Sequence, residues 1–379
     1  YFMQDFDFIS ETIKKFQSDL ENMDKVNILV VGKTGVGKST LINNIFREEL
    51  AETGIGRPVT QHLKKISKEG LPINLYDTKG LELEEDVQET IKKEILDEIE
   101  NCNRNSLERN DKSELMHVCW YCINTSVARC EETDIKWINE LSEKIPVIVV
   151  LTQGFPRKKA RELKSSIDDL NLNCKNVIPV LAEQLVEEED EIVIKSYGLD
   201  KLVEVTYQVI PKEVKKAFVN VQKVDIKKKV EESRKWVLGY VGGSGAIGFS
   251  PIPFSDAPLL ATAQVAMISH ITVIFGLQVD KALLTAIVSS IGGVTSATLL
   301  GKTLVSNILK FIPGAGTIAG GAISGSVAAL TTTALGMAYI SVLEYILNEN
   351  MKGNEVNNTE IAEKMKDAYK DQLGMLSKK

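Results

Sequence analysis

The chain has 379 residues, 44% of them hydrophobic and 26% charged, with a formal net charge of -7. That length is enough for two domains with separate cores, and the composition is that of a folded chain, not a disordered one. The acidic balance excludes a nucleic-acid binder held by bulk electrostatics, so no nucleic-acid partner is expected. Tyr1–Leu20 carries acids and no continuous apolar run, so no secretory leader is predicted there. The five cysteines, Cys102, Cys119, Cys122, Cys130 and Cys174, suit a reducing cytosol, and a cytoplasmic location is expected. Cys119 and Cys122 form a C-x-x-C inside a predicted strand, where side chains three apart face opposite ways; both read as core residues, not metal ligands.

Phe8–Met23 is a predicted amphipathic helix with Phe8, Ile9, Ile13, Phe16 and Leu20 on one face, expected to pack on the domain that follows. Val26–Val31 then reads as a buried strand running into Gly32-Lys33-Thr34-Gly35-Val36-Gly37-Lys38-Ser39-Thr40, and Leu41–Phe46 leaves with helical spacing. This fits the P-loop pattern G-x-x-x-x-G-K-[ST] at every fixed position. Glycines let successive backbone amides curl round phosphate oxygens, and the new helix turns its positive end toward them. Lys33 to Thr40 are therefore the candidate nucleotide-binding residues: Lys33, Thr34, Gly35, Val36, Gly37, Lys38, Ser39 and Thr40. Lys38 reaches for the β- and γ-phosphates as a catalytic cation, and the Ser39 hydroxyl for Mg²⁺.

Arg47–Thr60 is polar and carries Gly54, Gly56 and Pro58. Strands are predicted at His62–Ser67, Ile73–Asp77, His117–Ile123, Val147–Thr152 and Val177–Leu181, and helices at Val87–Ile99, Glu131–Leu141, Arg157–Leu170 and Leu199–Val209. Alternation at this spacing predicts an α/β domain, a mostly parallel sheet with helices on both faces. Ile73–Gly80 ends in D-x-x-G: Asp77 is placed to hold Mg²⁺ through water, and the Gly80 amide to sense the γ-phosphate. Thr60, between the two motifs, is placed to close over the metal when the triphosphate is bound. Glu187–Glu191 is an acidic run expected in a solvated loop.

Past Pro211, Lys212–Lys235 carries nine basic against four acidic residues, a pattern that a solvated helix or one lying on anionic lipid both satisfy. From Trp236 onward charge nearly vanishes in four windows, Trp236–Ser255, Ala257–Val279, Ala282–Gly301 and Phe311–Leu343. Their length fits membrane spans; their Gly, Ala, Ser and Thr content fits closely packed helices, in a membrane or in a buried core. The basic segment directly before them favours membrane association. Asn358–Leu373 is a predicted charged helix. The predicted partition is an N-terminal helix over 1–24, a P-loop domain over 25–210, a basic connecting helix over 211–235 and an all-α hydrophobic, Gly/Ala-rich domain over 236–379.

The P-loop with its leading strand, Gly56-Arg57-Pro58-Val59-Thr60, Asp77-Thr78-Lys79-Gly80, Ser250–Pro258 and Phe311–Gly316 together resemble the Era-like, translation-factor-related GTPases, and more narrowly bacterial GTPases fused to a hydrophobic helical domain. The resemblance implies a GTP/GDP-binding, Mg²⁺-dependent, GTP-hydrolysing switch with a membrane-linked output. Three departures stand out. The guanine-reading motif [NT]-K-x-D is represented by Thr152-Gln153-Gly154-Phe155, so Thr152 matches, Gln153 replaces Lys and Phe155 replaces the carboxylate. Guanine selection then rests on Thr152, Gln153 and a backbone contact from Ala182, and an ATPase is an open alternative. Leu81 stands where a water-orienting Gln is found, which predicts slow unaided hydrolysis unless a nucleotide-dependent homodimer, or Arg47 or Arg57 in cis, completes the site. Gly35 replaces the Asn of cation-activated relatives, so potassium activation is not expected. A non-catalytic nucleotide-binding scaffold is the other alternative.

Overall fold

A computed structural model describes residues 8–78, 85–127, 129–187, 192–242, 257–277, 281–292 and 325–376. The chain divides into two compact units, Met23–Asp225 and Tyr1–Asn22 with Ile226–Lys379.

The first unit is built on a seven-stranded sheet. Its strands are β1 (Val26–Gly32), β2 (Ile55–Pro58), β3 (Leu63–Ser67), β4 (Ile73–Thr78), β5 (Val118–Asn124), β6 (Val147–Thr152) and β7 (Asn176–Pro179). They lie in the order β2-β3-β4-β1-β5-β6-β7; β4, β1, β5, β6 and β7 are parallel, while β2 and β3 are added antiparallel. The helices of this unit are α2 (Lys38–Ile45), α3 (Leu50–Thr53), α4 (Glu85–Arg109), α5 (Glu132–Ser142), α6 (Arg157–Asp169), α7 (Leu199–Val209) and α8 (Lys215–Val221), and a small antiparallel pair, β8 (Leu185–Glu187) with β9 (Ile192–Ile194), precedes α7. β1 is buried at every position, as a central parallel strand covered on both faces must be. Its side chains alternate between two cores. Ile28 and Val30 pack with residues of α2, α7 and α8, while Leu29 and Val31 pack with residues of α4, α5 and α6. Trp120 and Cys122 of β5 follow the first set, and Cys119 and Tyr121 the second. Cys119 and Cys122 are thus buried on opposite faces, each with its thiol pushed up by burial.

The second unit is helical: α1 (Phe8–Glu21), α9 (Ile226–Gly242), α10 (Ala257–Phe275), α11 (Lys281–Gly292), α12 (Gly325–Met351) and α13 (Asn358–Leu376). Gly336 of α12 lets α9 approach closely; a Cβ there would stand 2.6 Å from Val237. Two polar pairs lie inside this apolar unit along its seams, Thr272 with Tyr339 at 2.7 Å and Tyr240 with His270 Nδ1 at 2.7 Å. Among the described residues one helix, Ala328–Met351, is long and apolar enough to cross a membrane, and 61% of its most apolar window is buried inside the unit. Length and composition of this kind serve a buried core helix equally well.

Three expectations about the organisation change. The N-terminal helix packs with the helical unit, not with the sheet: Ile9 joins its core, and Asp19 Oδ2 accepts from Ser269 Oγ at 2.7 Å and lies 3.4 Å from His270 Nε2. The basic segment is not one connecting helix. Val214, Ala217, Phe218 and Val221 form an apolar face buried in the core of the first unit, which therefore runs on to Asp225, and the chain turns at Gln222, whose Oε1 accepts from Asp225 N at 2.7 Å, before α9 begins. Lys229, one of the expected lipid-facing cations, is 1% exposed and its Nζ donates to Ile274 O at 3.1 Å, capping the last turn of α10. Phe311–Gly316 and most of the 250–258 motif lie outside the described residues.

Candidate functional site

The site is assembled at the carboxyl ends of the parallel strands, where loops leave an open α/β sheet. Gly35 at φ +70° and Gly37 at φ +97° hold the left-handed turns that wrap the loop and start α2. Lys38 Nζ donates to Gly32 O at 2.9 Å and Lys33 O at 3.2 Å, so the ammonium is folded over the loop that would enclose a phosphate. Thr34, Ser39 and Thr40 are exposed; Val36 is buried beneath the loop. Lys33 is paired with Glu131 at 2.8 Å on the exposed rim.

Asp77 sits at the end of β4, beside Val30 of β1. Its Oδ1 is buried and has no hydrogen-bond partner among the described residues. Burial raises its carboxyl, opposed by the charges of Lys38 and Lys64. A buried, unpartnered carboxylate oxygen next to the P-loop lysine is the donor a hard cation needs, and the exposed Ser39 hydroxyl on the first turn of α2 supplies a second oxygen. These residues fit Mg²⁺. Thr60 is turned elsewhere in this structure: its Oγ1 donates to Glu94 Oε2 of α4 at 2.5 Å. Gly80 and Leu81 lie outside the described residues.

The base-side loop is tied to the P-loop by two side chains. Thr152 Oγ1 donates to Val36 O at 2.6 Å, and Gln153 Nε2 donates to Gly35 O at 3.1 Å from a left-handed backbone at φ +52°. Gln153 thus bridges back to the loop although the expected lysine is missing. Gly154 N donates to Val180 O at 2.9 Å, which sets the loop carrying half-buried Ala182 alongside it. Phe155 is 39% exposed, and no carboxylate occurs between Thr152 and Pro156.

Several participants carry no sequence motif. Tyr197 donates its hydroxyl to Gly154 O and lies 4.4 Å beneath the Arg157 guanidinium; a Cβ on Gly154 would stand 2.5 Å from that hydroxyl. Thr125 Oγ1 donates to Gln153 O at 2.5 Å. Arg47 is not placed as a catalytic finger. Its guanidinium reaches Gly70 O at 3.3 Å and Asn220 at 3.2 Å, and Gly70 precedes β4, at the opposite end of the sheet from the P-loop; burial brings its pKa down to about 10. Arg57 is exposed on the edge strand β2. His117 is structural: Asn27 N donates to its Nδ1 at 2.8 Å, and burial lowers its pKa.

Residues 27–153 match the family described as 50S ribosome-binding GTPase, and residues 217–375 match a domain of unknown function, DUF697. The chain pairs a P-loop GTPase domain with a DUF697 domain. Among curated proteins it is 28% identical over 147 residues to neuronal-specific septin-3 of Danio rerio, covering 34% of this chain and 41% of the septin. It is 33% identical over 98 residues to the tRNA modification GTPase MnmE of Streptococcus thermophilus, covering 22% of this chain and 21% of that protein. The chain spans less than half the length of either relative. A solved structure of a probable GTP-binding protein engB aligns at 21% identity with a TM-score of 0.33, over 48% of this chain and 98% of that one.

Proposed function

We propose that this protein is a Mg²⁺-dependent, GTP-binding and GTP-hydrolysing switch of Era-like type, whose nucleotide state controls its helical DUF697 unit. The observation that carries the reading is the folded-over Lys38 together with the buried Oδ1 of Asp77, which has no partner among the described residues and feels the charge of Lys38, a cation for phosphate and an anion for metal. In this reading the amides of Lys33 to Thr40 bind the phosphates and Lys38 moves from its own loop carbonyls onto the β- and γ-oxygens. Ser39, Thr60 and Asp77 are the residues that would hold Mg²⁺, and the bound ion would offset charge on the β- and γ-phosphates. Gly80 serves as the γ-phosphate contact. Thr152, Gln153 and the Ala182 amide border the purine.

Leu81 cannot orient water, so intrinsic turnover is slow, and a nucleotide-dependent homodimer is the proposed source of the missing group. The helical unit, with the exposed cations Lys227, Arg234 and Lys235 of α9, is the proposed membrane-associating part. A second reading, an adenine-tolerant site, is favoured by the exposed Phe155 in place of the base-reading carboxylate. Competition of ATP and GTP against one labelled GTP analogue tests both. Displacement by GTP at a concentration at least tenfold lower supports the GTPase reading; equal displacement overturns guanine selectivity.

A further inference from the structure

The Thr60 hydroxyl is saturated. It accepts from Leu63 N at 3.0 Å and His62 N at 3.3 Å, which fills both lone pairs, and it donates its proton to Glu94 Oε2 at 2.5 Å. A hydroxyl so engaged has no lone pair left for a metal ion, and a carboxylate acceptor makes the strongest of the three bonds. His62 Nδ1 lies 3.3 Å from both Glu94 oxygens and closes the cluster from the other side. Burial raises the Glu94 carboxyl, but the hydrogen bonds from Thr60 and His62 outweigh it and hold it below the ordinary range.

We infer that Glu94 is a positioning residue that latches Thr60 away from the metal, so that triphosphate and Mg²⁺ must draw Thr60 off α4 before the site closes. The inference rests on the nucleotide-switch reading above and deepens it. The latch acts selectively. A diphosphate does not require Thr60 on the metal, whereas the closed triphosphate state does, so only the latter is opposed. When the competent state is a minor population, apparent affinity falls by that fraction, and releasing the latch restores it. A hydrogen bond to a charged acceptor of this kind corresponds to an effect on the order of tenfold.

The test is binding of a fluorescent non-hydrolysable GTP analogue and of GDP to the full chain, in Mg²⁺ and in EDTA. Glu94→Ala is expected to tighten the analogue about tenfold in Mg²⁺ and to leave GDP unchanged, with Glu94→Gln between it and wild type. In a Thr60→Ala background the Glu94 substitution is expected to add nothing, because the latch has already lost its other half. A merely structural role would shift analogue and GDP together. An unchanged ratio of the two affinities, or a Glu94→Ala effect that persists without Thr60, overturns the latch. A wild-type chain that binds the analogue equally in Mg²⁺ and EDTA sinks the switch reading itself, and the latch with it.

Discussion

Asp77 carries a testable conflict between stability and function. Its Oδ1 is buried and has no partner among the described residues, and burial raises its pKa. An acid whose folded pKa is raised binds its proton more tightly in the native state than in the unfolded one. The unfolded chain therefore releases the proton first, and stability falls as pH rises from the unfolded carboxyl's range through the raised folded value. Above that folded value the protein without metal bears this cost in full. An unsatisfied buried polar atom costs about 1–3 kcal/mol. Asp77→Asn keeps the shape and removes the charge, so it is expected to recover ~1 kcal/mol. For the unit Met23–Asp225, of about 200 residues, that is a rise of ~2–4 °C in the midpoint.

The assay is thermal unfolding in EDTA, followed by the fluorescence of Trp120 and Trp137, both buried in that unit. The variant should melt higher than wild type at pH 7, and the gap should narrow as pH is lowered into the carboxylate range. Adding Mg²⁺ and GDP should reverse the order. Wild type gains about 2.7 kcal/mol at a hundred times the dissociation constant, while the variant gains far less. A variant that melts lower than wild type in EDTA, or one stabilised equally by Mg²⁺ and GDP, refutes the assignment of Asp77 as a strained metal donor.

Lys38→Ala removes the ammonium that now sits on Gly32 O and Lys33 O, and nucleotide affinity should drop about a hundredfold by titration calorimetry with the fold intact by circular dichroism. Phe155→Asp restores a carboxylate at an exposed position, and the preference for GTP over ATP should rise about tenfold in competition assays; an unchanged preference would show that the base lies elsewhere. Lys229→Ala leaves Ile274 O without its cap and opens a cavity, at a cost of about 2–4 kcal/mol in denaturant unfolding, whereas exposed Lys227→Ala should stay within ~0.5 kcal/mol. Any loss of liposome flotation should then follow Lys227 and Lys235 with the fold preserved, while Lys229 should reduce flotation only where it also unfolds the helical unit.

Much of the sheet is legible because burial writes itself into composition. β1, β5 and β6 are continuous apolar runs, which only a strand covered on both faces needs, and their predicted and observed limits agree to within one residue. β2 is not legible. Ile55-Gly56-Arg57-Pro58 has neither alternation nor burial, with Ile55 63% exposed, and it is a strand only because β3 offers it a ladder. The pair Leu185–Glu187 and Ile192–Ile194 was hidden for a similar reason, three residues on each side of an acidic run. Amphipathic faces show that a helix will be covered but not by what. The apolar stripe of α1 was plain, whereas its anchor, Asp19 on Ser269 and His270, joins residues 250 positions apart.

The same distinction separates what the candidate site disclosed from what it withheld. Lys38, Ser39 and Asp77 are readable because the P-loop and D-x-x-G patterns set residue types at fixed spacing, each within one strand and the loop that leaves it. Glu94 is one acid among several on α4, and nothing in its spacing sets it apart until folding brings Thr60 onto it. Lys229 shows the reverse error: a charge read as surface because charges usually are, yet buried where the carbonyls of a helix end supply the partner that water would otherwise provide. Motifs therefore mark the proposed ligand groups, while a contact such as that of Glu94 with Thr60 is fixed by tertiary structure. This is why substitution of Glu94, at a position no motif marks, separates a switch from a passive nucleotide site more sharply than substitution of Lys38, which weakens binding under either.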